Sequence, residues 1–166
     1  MLMFIAGLTA IALLTTGTES RPIPDDKCLA IAKAVAVDWQ PFADKIAGQH
    51  LDITVIAGTP GKMLRMVEEK NGKKVVVAEI NGANEIVIFQ EFCDGHPMFK
   101  VSVIAHEIGH LIDISKNPTP IFFRKATNIF TPWKEREVEK IAIKYSHDLI
   151  ELSGLDKTMF ETFEEK

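Results

Sequence analysis

Val101-Ser102-Val103-Ile104-Ala105-His106-Glu107-Ile108-Gly109-His110-Leu111-Ile112 decides how the rest of the chain is read. Its apolar residues recur at helical spacing. Pro97 suits a first helical position and Asp94 or His96 offers a cap, which predicts a helix from Pro97 to about Ile114. On a helix, residues four apart differ in direction by about 40°, so the imidazoles of His106 and His110 leave one face and can grip a single divalent cation. Glu107 stands beside that face, where a carboxylate can take a proton from water. This order of residues is that of a zinc hydrolase helix. Gly109 supports the reading, because glycine inside a helix costs about 1 kcal/mol relative to alanine. A close approach of backbone or ligand accounts for that cost. The competing reading is an amphipathic helix with two surface histidines.

Two histidines leave a zinc site in need of a third protein ligand and one open position. The metzincin pattern would place Gly and His three and six residues after His110, where this chain has Asp113 and Lys116. The third ligand is therefore expected from a later helix. Thr131-Pro132 opens one, which runs to about Ser153 and is closed by Gly154. Its first turns read Lys134-Glu135-Arg136-Glu137-Val138-Glu139-Lys140-Ile141-Ala142. Glu135 and Glu139 lie one turn apart on one face. Glu135 is read as the metal ligand and Glu139 as a carboxylate that hydrogen-bonds a ligand imidazole. Glu137 points elsewhere and is the weaker alternative. Ala142 and Ser146 continue the face with small side chains, leaving room for the metal helix. Acidic residues near a helix start are also favoured by the helix dipole, so a purely local role competes.

The HEIGH motif followed by Glu135-x-Glu137-Val138-Glu139-x-Ile141-Ala142 resembles the ImmA/IrrE metallopeptidase-like pattern, and is similar to that of HtpX-like endopeptidases. The resemblance spans about residues 75–145. It implies an α+β, minimal zincin-like domain of the gluzincin kind, with a small, mostly antiparallel sheet, an active-site helix and a C-terminal ligand helix. It also implies Glu135 as third zinc ligand, while Glu139 stands where those families carry Asn or Asp. The implied activity is zinc-dependent hydrolysis of a peptide bond in a peptide or protein substrate. His106, His110 and Glu135 would hold Zn²⁺ and Glu107 would act as general base. The alternative is a zinc-loaded module on the same scaffold that binds without cleaving.

Outward from the motif, the chain of 166 residues suits one domain with an N-terminal extension. Residues 1–20 read as a signal peptide or short membrane anchor. No charge precedes Glu19, and the apolar run Leu2–Leu14 has the length of a signal-peptide core rather than a membrane span. Residues 21–166 are the expected folded domain, exported and joined to a membrane only if the N-terminus stays uncut. Net charge is −4, from 19 basic and 23 acidic residues, with no basic excess to attract nucleic acid. Cys28 and Cys93 are too few for a cysteine scaffold; in an oxidising compartment they are either paired or buried and free.

Asp25 or Asp26 caps a predicted helix that breaks between Trp39 and Pro41, resumes to Ile46 and stops at Gly48. Strands are predicted over 51–56, 74–80 and 85–90, with 64–69 either strand or helix, and turns at Asn71-Gly72 and at Asn81-Gly82-Ala83-Asn84. The strand at 85–90 resembles the edge strand that lines a zincin cleft, with a plain internal strand as the alternative. Of the remaining candidates, Asp113 is either a support for the metal face or solvated. Tyr145 and His147 are weak oxyanion donors. His50 and His96 are read as turn and cap residues, and Phe122-Phe123 as core.

Overall fold

The computed structural model describes residues 23–58, 67–69, 72–74, 77–117 and 132–156, without the side chains of 67–69, 72–74 and 132–136. The expected leader at 1–20, the connection at 118–131 with Phe122-Phe123, and the tail beyond 156 lie outside them. Among the described residues the fold is α+β. Four helices, α1 (Asp26–Ala47), α2 (Gln90–Asp94), α3 (Pro97–Lys116) and α4 (Pro132–Ser153), surround a small sheet. No described helix is long and apolar enough to cross a membrane.

Helix α1 starts where the Asp25 carboxylate accepts the backbone N–H of Cys28 at 2.7 Å, and ends at Gly48 in the left-handed region, φ 74°. Cys28, Ala32, Ala36, Trp39 and Ala43 form its buried stripe, and the alanines let it lie close to α3. The predicted break does not occur: Pro41 sits inside a continuous helix. Pro41 and the residue whose carbonyl it leaves unpaired, Val37, are both on the exposed side, where water can take that oxygen. Beyond α1, Asp44 and Gln40 hold the chain as it turns toward the sheet. Leu51 N–H donates to the Asp44 carboxylate at 2.9 Å, and Gln40 Nε2 donates to the Leu51 carbonyl at 2.8 Å.

Strands β1 (Val55–Ala57), β5 (Ile86–Ile88) and β4 (Ala78–Ile80) form a three-stranded mixed sheet in that order. The expected antiparallel character holds for β4–β5 and for the separate hairpin of β2 (Val67–Glu69) and β3 (Gly72–Lys74), but β1 pairs with β5 in parallel. Strand β5 is thus central and buried throughout, which overturns its reading as a cleft edge; among the described strands β1 and β4 take the two edges. The predicted strand also ends early, because Gln90 begins α2. The turn joining β4 to β5 is built on Asn81, whose Oδ1 accepts from Ala83 N and Glu85 N, both at 2.9 Å, while Asn84 takes φ 61°.

Helix α3 is the centre of the packing, with α4 and α1 on two sides and the sheet on a third. His96 caps it by accepting from Met98 N at 3.2 Å, with Pro97 in the first turn. The side chains Ile104, Ala105, Ile108 and Ile112 are fully buried. Gly109 faces the backbone of Ala142 on α4; a Cβ there would run into the Ala142 carbonyl and lie 3.2 Å from its Cα. This is the close approach that the glycine implied. Lys116 then lies over the ring of Tyr145, 5.3 Å from its centroid. Contacts advance in the same direction along both helices, from 109 with 142 to 116 with 145, so α3 and α4 run side by side in one sense. Cys28 and Cys93 form a disulfide, Cα to Cα 5.6 Å, tying the start of α1 to α2 just ahead of α3.

Candidate metal centre

His106 and His110 leave α3 one turn apart, their rings edge to face with centroids 4.8 Å apart. Both turn Nε2 toward the same oxygen of a carboxylate on α4: Glu139 Oε2 lies 3.1 Å from His106 Nε2 and 3.6 Å from His110 Nε2. One donor atom from each of the three residues falls within 4.8 Å of the others. Four ligands around a zinc ion at about 2.0–2.1 Å stand roughly 3.3 Å apart, so both imidazole–carboxylate separations are those of neighbours in one coordination shell. Two imidazoles and one carboxylate form the His₂Glu donor set of catalytic zinc sites. The donors fit the ion.

The carboxylate and the imidazoles also interact directly. A carboxylate accepts only, so His106 donates its Nε2–H to it. Burial raises the proton affinity of Glu139, but hydrogen bonds from His106 and His110, and the charges of both rings, outweigh that and hold its carboxyl well below the ordinary range. His110 is the deeper histidine, its side chain 5% exposed against 28% for His106. Its Nδ1 is a buried atom with no hydrogen-bond partner.

Glu107 is 7% exposed, on the flank of α3 next to the histidine face. Asp113, on the His106 and His110 side of the helix, is fully buried rather than solvated. Its carboxylate accepts from Asn117 Nδ2 at 2.6 Å, closing the C-terminal end of α3. Glu137, the weaker ligand candidate, is exposed and pairs with Lys140 at 3.2 Å. Glu135 belongs to the first turn of α4, and its side chain lies outside the described residues. The described carboxylate that meets both imidazoles is Glu139, which the sequence had placed behind the metal. Tyr145 is engaged by Lys116 and Lys144, the latter 5.2 Å from its ring centroid. His50 forms an ion pair with Asp44 at 2.8 Å and is not among the three residues that converge. No family model matches the chain, and no curated protein or solved structure matches it either, so the resemblance of the HEIGH motif stands on the motif's own residues.

Proposed function

We propose that the protein is a zinc-dependent peptide-bond hydrolase of gluzincin type, with His106, His110 and Glu139 as the residues that hold the ion. The observation that carries this reading is the convergence of both histidines of the HEIGH motif on one α4 carboxylate, with Glu107 on the adjoining flank. A purely structural site has no use for a base at that position. A zinc ion bound there supplies Lewis-acid polarisation of the scissile carbonyl and makes water a stronger acid. Glu107 takes a proton from the attacking water onto a carboxylate oxygen as the water oxygen bonds to the carbonyl carbon. It then gives that proton to the amine nitrogen as the C–N bond breaks. His106, half-buried, is the more accessible of the two histidines, and His110 is buried. The disulfide supports an oxidising compartment, in keeping with the expected export.

The test is zinc content and peptide turnover across four proteins. Wild type is expected to hold one zinc and to cleave in a chelator-sensitive way. Glu107→Gln should keep the zinc and lose cleavage by at least about 100-fold, the scale of a general base. Glu139→Ala should lose the zinc, and Glu135→Ala should keep it. Retention by Glu139→Ala with loss by Glu135→Ala would move the third ligand one turn toward the start of α4. Full activity of Glu107→Gln would end the hydrolase assignment.

A further inference from the structure

The face of α3 that carries Glu107 continues past the metal centre. Leu111 and Ile114 follow at four and seven residues, so they lie along the same stripe, about 6 and 10 Å further down the helix axis. There a cavity of about 380 Å³ opens between the end of α3, the residues leading into β1 and the β4–β5 turn. Its volume lies in the range of small-ligand sites. Leu111, buried, and Ile114, half-buried, give it an apolar floor. Around the floor stand Asp52, Thr54, Asn84, Glu85 and Ser115, and among the described residues no lining side chain is Lys, Arg or His.

Asn84 and Thr54 can donate as well as accept, while Asp52, Glu85 and Ser115 offer acceptors. Asn81 Nδ2 donates to Glu85 Oε2 at 2.7 Å, and Glu85 N returns a bond to Asn81 Oδ1, so this carboxylate is fixed by the turn it belongs to. Ser115 spends its hydroxyl proton on the Ile112 carbonyl at 2.7 Å, which leaves its oxygen only lone pairs to present. Two carboxylates and a lone-pair oxygen above an aliphatic floor match a group with an apolar stem and a cationic tip rich in donors. That is the shape of a lysine or arginine side chain. An extended peptide advances about 3.3 Å per residue, so a residue two or three positions from a bond cleaved beside Glu107 reaches the cavity.

We infer that this cavity is a specificity pocket for a lysine or arginine side chain of the peptide substrate, an assignment that rests on the hydrolase reading. Neutral peptides in which Arg, Lys, norleucine or Glu is scanned through three positions on each side of the cleaved bond test it, with the zinc-loaded full chain. At one position, Arg or Lys should raise kcat/KM by about tenfold over norleucine. Asp52→Asn with Glu85→Gln should bring that ratio near one while zinc content stays at wild type. Absence of a basic preference, or a preference that the double variant keeps, overturns the pocket. A second measurement does not depend on turnover. In zinc-loaded Glu107→Gln, the Arg peptide should shift the backbone amide resonances of residues 83–85 and 111–115, and the norleucine peptide should not. Unmoved resonances with the Arg peptide overturn the pocket whatever the turnover. Shifted resonances in a protein whose wild type cleaves no peptide would leave the pocket standing and end the hydrolase reading.

Discussion

At the scale of single residues, the ion pair of His50 with Asp44 gives a pH dependence that can be signed in advance. Burial raises Asp44, but hydrogen bonds from His50, Leu51 N–H and Gln40 outweigh it and hold the carboxyl below its ordinary value. The hydrogen bond and the charge of Asp44 in turn raise His50. A raised histidine contributes stability that is complete below its unfolded value, near 6.5, and is lost as pH climbs through the folded one. A lowered aspartate contributes above its unfolded value, near 3.9, and loses it as pH falls through the folded one. The pair thus stabilises the turn after α1 most between about pH 4 and 6.5. An NMR titration should place His50 above the ordinary histidine value, and Asp44→Asn should lower it toward that value; equal midpoints in the two proteins would remove the pair from the account. The same scale shows what the metal motif alone could reveal. His106, Glu107 and His110 are legible because their mutual placement is set by one helix. Glu135, Glu137 and Glu139 are three identical side chains at a helix start, and facing alone leaves Glu135 and Glu139 equivalent. The choice between them depends on how far α4 slides along α3, which no local spacing records.

Among the elements, that slide is fixed by Gly109 against Ala142. A methyl group at position 109 meets the Ala142 carbonyl, so α4 must move out or along, and Glu139, three residues before Ala142, moves with it. Gly109→Ala should therefore destabilise the fold by about 1–3 kcal/mol, despite the better helix propensity of alanine. At the proposed zinc site it should also weaken binding of the ion about tenfold or more, since ligands one ångström out of place would lose the shared shell. Chemical denaturation and a zinc competition assay read the two effects; a Gly109→Ala variant more stable than wild type, with unchanged affinity, would show that the helices do not meet there. The helices themselves were legible from caps and stops: Asp25, Gly48, His96-Pro97, Pro132 and Gly154 all mark observed boundaries or their neighbours. The sheet was less so. Strands of three residues carry too little alternation to separate a parallel neighbour from an antiparallel one, and β5 reads the same at an edge as in the middle.

For the whole molecule, the decisive cross-link is Cys28–Cys93, which closes 65 residues of chain into a loop. The chain-entropy relation gives such a loop about 4 kcal/mol of stabilisation, with measured native disulfides typically at about 2–4. Replacing both cysteines by alanine should lower the stability of the fold by that order, read as a lower denaturant midpoint. A loss under about 0.5 kcal/mol would mean that the unfolded chain is already held by other means. Composition made either state of the two thiols reasonable, because pairing depends on whether the start of α1 meets α2, a question of tertiary packing. The bond has one more consequence for a protein read as a peptidase. A single backbone cut anywhere from residue 29 to 92 would leave both fragments covalently joined, so a nicked molecule would keep its mass on a non-reducing gel and part only under a thiol. Self-inflicted damage in that stretch would be survivable.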